Sequence, residues 1–179
     1  MRICLDLNIW LGAFLSERLG HTGTATQVLV EAVRTGACER GPVALVISWG
    51  MLNRLEQVLV AQGFDEAQAQ RLVEIIATFA REGLSLTLGG AGVLPMDDEE
   101  DRHVVEAAFA GEADLLVTHN FSDFAGDGVQ LLVAGRIYGA RQGVRKLLIL
   151  HTYDAAAWIR GEALPQAEAF MTSHGPVQG

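Results

Sequence analysis

The sequence predicts a single α/β domain whose central sheet is mostly parallel and covered by helices on both faces. Short apolar runs alternate along the chain with longer segments whose apolar residues recur at helical spacing. This alternation is typical of parallel sheets, because each parallel connection needs a crossover and a helix supplies it. The 179 residues suffice for one such domain and are too few for two ordinary ones. We therefore expect a three-layer α/β/α sandwich, Rossmann-like in plan, over residues 1–162, with a C-terminal tail over 163–179.

Several apolar runs have the length and composition of buried strands. Val, Ile and Leu dominate them, and polar residues or glycine bound them. They are Arg2–Leu5, Val43–Ile47, Ala113–Val117 and Leu147–Leu150. Leu84–Leu88 alternates apolar and polar residues and is a further candidate, followed by a glycine-rich loop without the spacing of a phosphate-binding motif.

Helices are expected between these strands, each with one apolar face. Thr24 or Thr22 can cap the second of them and Ser48 the third, since their hydroxyls accept from the free N–H groups of a first turn. In chain order the expected helices are Ile9–Arg18, a segment ending at Gly36, Met51–Leu59, a segment from Asp65 to Phe79, Asp101–Phe109, Ala155–Arg160 and a small helix after Leu164.

Charge and composition limit the classes of function. A formal net charge of −9 argues against tight, non-specific binding of nucleic acid, but not against a nuclease whose carboxylates hold a cation. No apolar run approaches the ~20 residues of a membrane span, and Asp6 interrupts any signal-peptide core, so we expect a cytoplasmic protein without membrane contact. Cys4 and Cys38 lack the number and spacing of a disulfide framework or thiolate metal site.

Polar side chains follow three of the expected strands. They are Asp6 with Asn8, then Ser48, then Asn120 with Asp123. In parallel sheets ligands collect beyond the carboxyl ends of the strands, so these residues are expected to lie together. Carboxylate oxygens are the ligands that Mg²⁺ prefers, and a buried Asp6 without a basic neighbour would need a cation or hydrogen bonds. A plain helix cap is the alternative for Asp6.

A run of five acids, residues 97–101, leads into the fifth expected helix. The positive end of a helix dipole favours negative charge there, so a structural role is open. Crowded carboxylates also repel one another, and a bound cation would relieve that repulsion. Spacing alone does not decide between these explanations.

The motifs and their order resemble those of PIN domains. The chain opens with I-C-L-D-L-N-I at 3–9, similar to the first PIN strand ending in D-x-N. Ser48 is followed by L-x-x-V-L at 55–59. The second half has D-E-E-D at 98–101, an alanine-rich helix, G-E-A-D at 111–114, an apolar strand, T-H-N at 118–120 and D-F at 123–124. The resemblance covers residues 2–124.

This resemblance implies an endoribonuclease that cleaves single-stranded RNA with Mg²⁺ or Mn²⁺. It places Asp6 and Asp101 as metal ligands and catalytic residues, with Asn120 and Asp123 completing the catalytic set. Supporting roles fall to Asn8, Ser48, Asp98 and Thr118. Because many small bacterial members are toxins of toxin–antitoxin pairs, the expected partners are RNA, an antitoxin protein and a second copy of the chain.

Two positions depart from the family's pattern. Arg54 stands where E-L-x-x-V-L members have their helical acid, and Glu56 points some 200° away from it at about 100° per residue. Asn120 stands where T-x-D members have Asp, as it does in one branch of the family, and Asp123 can compensate. The second hypothesis is therefore a catalytically degenerate PIN-like module that binds RNA or a protein, with the Arg54 guanidinium replacing the cation.

Further basic residues and a histidine are open to two interpretations. Arg136, Arg141, Arg145 and Lys146, here called the basic stretch, either meet the RNA backbone or form a solvated loop. His103 could ligate metal, shuttle a proton or lie at the surface, and no H-x-x-x-H pattern supports the first role.

A third hypothesis takes residues 5–8 as the nucleophile motif of haloacid-dehalogenase-like phosphatases. Those enzymes need a second acid two residues after the first, where this chain has Asn8, and a downstream lysine, for which Lys146 alone is available. We rank this hypothesis last.

Overall fold

The structure is a computed structural model that describes residues 1–82, 86–87, 99–121 and 129–173, with the side chains of 82, 86–87 and 99–102 outside the description. The strands are β1 (Arg2–Leu5), β2 (Ala37–Cys38), β3 (Gly41–Pro42), β4 (Ala44–Ser48), β5 (Leu86–Thr87), β6 (Leu115–Thr118), β7 (Val129–Val133), β8 (Ile137–Gln142) and β9 (Arg145–His151). The helices are α1 (Leu7–Arg18), α2 (Ala25–Thr35), α3 (Trp49–Ala61), α4 (Glu66–Glu82), α5 (Glu99–Ala110), α6 (Thr152–Ile159) and α7 (Pro165–Thr172).

The central sheet has the strand order β5-β4-β1-β6-β9-β8-β7. The strands from β5 to β9 in that order pair in parallel, and β8 and β7 add an antiparallel edge. The chain places β4 and β5 on one side of β1 and then returns to place β6 on its other side. Because crossovers between parallel strands are right-handed, this change of direction puts α5 on the opposite face of the sheet from α1 to α4. The predicted α/β fold with a mostly parallel sheet is thus confirmed.

The buried strands are those that the apolar runs predicted. β1, β4, β6 and β9 form the centre of the sheet, and Ile3, between Leu45 and Leu115 in the register, has no exposed surface. Cys4 is equally buried; burial, followed by the charge of Asp6, raises the pKa of its thiol, so it stays protonated. Both cysteines are free.

Side-chain caps fix where the helices begin. The Ser48 hydroxyl accepts from the Met51 N–H (3.1 Å), as predicted for α3. Thr24 and Gln27 form a capping box at the start of α2. Helix α1 begins at Leu7, two residues earlier than predicted, because Asp6 itself is the cap.

The last helix packs on the antiparallel edge of the sheet, within the segment predicted as a tail. Phe170 of α7 is 4% exposed, and its ring lies so close to β8 that a Cβ at Gly139 would come within 2.5 Å of it. The domain boundary at residue 162 stays a prediction. None of the described helices is long and apolar enough to cross a membrane.

Candidate active site

Asp6 lies where β1 ends and α1 begins, and it is 6% exposed. Its Oδ1 accepts from the Leu7 N–H at 2.6 Å. Its Oδ2 accepts from Asn8 Nδ2 and from the Thr118 hydroxyl, both at 2.6 Å. Hydrogen-bond donors on both oxygens stabilise the negative charge and fix the carboxylate plane. Asp6 is therefore both a helix cap and an oriented, buried anion.

Thr118 joins the ends of β1 and β6. Its hydroxyl, which donates to Asp6, accepts from Asn8 Nδ2 (3.2 Å) and from the Asn120 N–H (3.0 Å). Asn8 Oδ1 in turn accepts from the His119 N–H at 3.2 Å. Asp6, Asn8 and Thr118, here called the Asp6 network, thus tie two neighbouring strand ends together.

We expect Thr118→Val to reduce metal-dependent RNA cleavage. Valine has nearly the same shape but removes the donor to Asp6 and the acceptor for the Asn120 N–H. Loss of a group that orients a metal ligand costs about 10- to 100-fold in activity or metal affinity. The measurement is the cleavage rate of single-stranded RNA as a function of Mg²⁺ concentration. The control is Thr78→Val, whose hydroxyl donates to the Ile75 carbonyl on the exposed face of α4. Equal metal requirements in the two variants would contradict the expectation.

The other expected site residues are only partly described. Ser48 is 5% exposed, and its hydroxyl caps α3 at the end of β4, the strand beside β1. Asp101 lies in the first turns of α5, but its side chain is outside the description. Asp98 and Asp123 lie outside the described residues. The exposed His103 pairs along α5 with Glu106 (Nδ1–Oε2, 3.7 Å).

His119 follows Thr118 and lies beside a second histidine. Its Nδ1 and the Thr152 hydroxyl share a hydrogen bond of 3.0 Å, and its ring meets that of His151 edge-on at 5.6 Å. Burial, followed by the charge of His151, lowers the pKa of His119 from its ordinary value of 6.5. His119 is thus predominantly neutral near pH 7.

An NMR titration should show His119 titrating below 6.5, the ordinary value. In His151→Asn the pKa of His119 should rise part of the way back towards 6.5, because the charge of His151 is gone while the burial of His119 remains. A His119 pKa that stays the same in this variant would show that His151 has no electrostatic effect on it.

A family model described as PIN domain matches residues 2–122, more than half of the chain. The chain belongs to the PIN domain family. PIN domains are a nuclease-type family that acts on nucleic acid and generally uses divalent metal ions. Neither a curated protein nor a solved structure matches the chain.

The helix of this PIN domain that should carry a third acid presents Arg54 instead. Arg54 is exposed on α3, and its Nη1 lies 3.5 Å from Gln57 Oε1. Glu56 is partly buried and, two residues along α3, faces another direction. The Asp6 network therefore gains no carboxylate from position 54 or position 56 of α3.

The oxygen donors of this PIN domain fit a hard cation. Among the described residues no three His, Cys, Asp or Glu side chains form a group that could hold a metal ion. Asp6 is a buried carboxylate where β1 ends, and Asp101 lies in the first turn of α5, the helix that leads into β6. A carboxylate pair with retained waters is a set that Mg²⁺ or Mn²⁺ accepts.

Two residues of the basic stretch hold α7 in place. The Arg141 guanidinium donates to Ser173 Oγ at 2.7 Å and lies 4.7 Å from the ring centroid of Phe170. Lys146 Nζ donates to the Met171 carbonyl at 2.7 Å. Both residues therefore have structural roles at the antiparallel edge.

The other two basic residues form ion pairs. Arg145 pairs with Glu112 where β9 begins. Because β9 runs parallel to β6, this is the opposite end of the sheet from Asp6. Arg136 forms two hydrogen bonds with Asp154, one of them 2.9 Å between Nε and Oδ2. RNA binding by the basic stretch stays a prediction. Arg136 lies at the same edge of the sheet as Asp6, because its carbonyl accepts from the His151 N–H at 2.9 Å where β9 ends.

The sequence interpretation missed two buried carboxylates and a group of rings. Glu106 is 5% exposed within the V-V-E-A-A run, where its position between buried neighbours was the available signal. Asp154, 3% exposed, is the partner of Arg136. The rings of His151 and Tyr153 lie near the Asp6 network because β9 pairs with β6, and local sequence patterns do not indicate which strands pair.

Proposed function

We propose that this PIN domain is an endoribonuclease that cleaves single-stranded RNA, with Mg²⁺ or Mn²⁺ held by Asp6 and Asp101. The observation that carries the proposal is the Asp6 carboxylate, buried at the junction of β1 and β6 and oriented by donors on both oxygens. Because these donors hold the carboxylate in one orientation, it is preorganised to bind a hard cation.

The chain's own residues would position the reaction. Asp6 would bind the cation directly, while Asn8 and Thr118 would hold its carboxylate in one orientation. A bound divalent ion supplies a more acidic water and stabilises the charge that develops on the phosphate. Asn120, whose N–H donates to Thr118, would lie at the same edge, and Asp123 remains part of the proposed catalytic set.

The test is cleavage of a labelled single-stranded RNA pool by purified protein with Mg²⁺, with Mn²⁺ and with EDTA. We expect cleavage that needs the metal and is weaker on duplex RNA. Isothermal calorimetry of the metal alone gives an independent measurement. Absence of both cleavage and metal binding would overturn the nuclease proposal.

Arg54 supports a second candidate, a non-catalytic module that binds RNA through the same edge. The guanidinium is exposed on α3 and offers a bidentate phosphate contact. In that case RNA would bind equally well in EDTA, and Arg54→Glu would weaken binding. The nuclease hypothesis predicts instead that Arg54→Glu leaves cleavage intact or increases it.

The toxin role, an antitoxin partner and a homodimer belong to the same proposal and rest on the resemblance to PIN toxins. A small overlapping gene for a DNA-binding protein upstream would support the toxin role. Light scattering of the purified chain would test the homodimer.

A further inference from the structure

Four aromatic side chains form a row at the carboxyl ends of β6 and β9. We call Phe121, Tyr138, His151 and Tyr153 the aromatic row. Phe121 stacks on Tyr138 with centroids 4.6 Å apart and an interplanar angle of 13°. His151 lies 6.4 Å from Phe121 and stacks on Tyr153 at 5.4 Å and 29°. The row thus runs from Tyr138 through the buried Phe121 and His151 to Tyr153, which is 69% exposed.

The aromatic row begins beside the Asp6 network. Thr118, which donates to Asp6, is followed by His119, whose N–H donates to Asn8. The His119 ring lies 5.6 Å from that of His151. Thr118, His119 and His151 therefore connect the proposed metal ligand to the exposed end of the row.

A cleft of about 540 Å³ adjoins His119 and Tyr153. This volume lies within the range of small-molecule pockets, roughly 300–1,000 Å³. Small residues of three helices line the cleft and leave space in it: Gly12, Ala25, Ala156 and Ala157. Gly12 is one helical turn after Asn8 on α1. The link from the cleft to the Asp6 network is His119, which lines the cleft and whose N–H donates to Asn8.

The charge of the cleft does not select RNA by itself, because Arg160 and Glu162 both line it. Recognition there would depend on the rings. His151 stacks on the Tyr153 ring, and Tyr153 is 69% exposed. A ring held by such a contact loses little conformational entropy when a second ring stacks on it.

We propose that Tyr153 is a stacking platform for an unpaired nucleobase of the RNA substrate, next to the phosphate that is cleaved, and that the adjoining cleft receives this base. The inference rests on the proposed ribonuclease function and extends it to substrate selection. Stacking on an aromatic face accepts any base but requires one that is not enclosed in a helix. The platform therefore selects single strands without reading their sequence.

The test measures binding separately from cleavage. The anisotropy of a short, fluorescent single-stranded RNA is titrated with full-length protein in EDTA. Loss of one stacked base costs about 1–3 kcal/mol, so Tyr153→Ala should weaken binding by about 5- to 150-fold. Tyr153→Phe should bind within about twofold of the unmodified protein, since the aromatic face remains. Val144→Ala, fully exposed at the other end of β9, is the control for loss of an exposed apolar side chain.

Oligonucleotides with abasic sites distinguish stacking from other effects. If each position is made abasic in turn, one of these RNAs should bind the Tyr153→Ala protein and the unmodified protein equally. A Tyr153→Ala protein that binds every RNA as tightly as the unmodified protein, or one that loses affinity equally for all abasic RNAs, would overturn the inference and leave the nuclease proposal standing. If the unmodified protein neither binds nor cleaves RNA, the nuclease proposal fails, and this inference fails with it.

Discussion

Asp6→Asn should abolish metal-dependent RNA cleavage while leaving the fold intact. Removing a residue that merely supports a metal ligand costs about 10- to 100-fold, so loss of the ligand's charge should cost more than about 100-fold. The fold should survive because asparagine is a good helix cap and its Oδ1 can still accept from the Leu7 N–H. Asp101→Asn should have a similar effect on cleavage.

The chain offers a matched control for Asp6. Asp114 also accepts a backbone N–H, that of Arg2 at 2.8 Å, but it precedes β6 at the opposite end of the sheet. Asp114→Asn should therefore cleave RNA at nearly the original rate. The readouts are kcat, the Mg²⁺ concentration for half-maximal rate, and circular dichroism for the fold. Equal activity of Asp6→Asn and Asp114→Asn would refute a catalytic role for Asp6.

The second large effect is expected at Phe170. Its ring is buried against Gly139 and lies under the Arg141 guanidinium, so Phe170→Ala would leave a cavity beneath α7. Truncation of a buried phenylalanine costs about 3–5 kcal/mol, and the lower end suits this edge of the sheet. In a chain of this size, about 3 kcal/mol corresponds to a fall in Tm of about 6–12 °C. Leu131→Ala, 56% exposed on β7, is the control.

A double-mutant cycle shows whether this loss comes from the contact between α7 and β8. Gly139→Ala should destabilise the protein, because its Cβ would come within 2.5 Å of the Phe170 ring. In the Phe170→Ala background the same change should be nearly neutral, since the ring is absent. Additive effects would rule out the contact as the cause.

Thermal unfolding of the chain cut at residue 162 tests the predicted domain boundary in the same experiment series.

The buried strands could be predicted because burial on both faces requires continuous apolar runs, and β1, β4, β6 and β9 have them. β7 and β8 do not. In these two strands, exposed residues and Gly139 break the alternation of apolar and polar residues that a strand usually shows. A register shift between Leu131 and Val133 breaks it again. β7 does carry a strand signal, since four of the residues 129–133 are apolar and glycines lie on either side of the run. It was not assigned as a strand, and the packing of α7 against this edge was therefore not foreseen.

Half of the candidate site follows from local sequence. Asp6 and Asn8 share one strand end, and their polar types point to a site there without any further information. The hydrogen bond from Thr118 to Asp6 joins residues 112 positions apart and depends on the pairing of β1 with β6. Position in the sheet, not residue type, determines such contacts.

The place of β9 between β6 and β8 has a consequence for synthesis on the ribosome. When residues up to 121 have emerged, β1 and β6 can pair, but the outer edge of β6 has no neighbour until β9 follows. An open edge of a buried strand readily pairs with other chains. An interrupted chain that already contains Asp6 and Thr118 would therefore expose the edge of β6 to pairing with other chains.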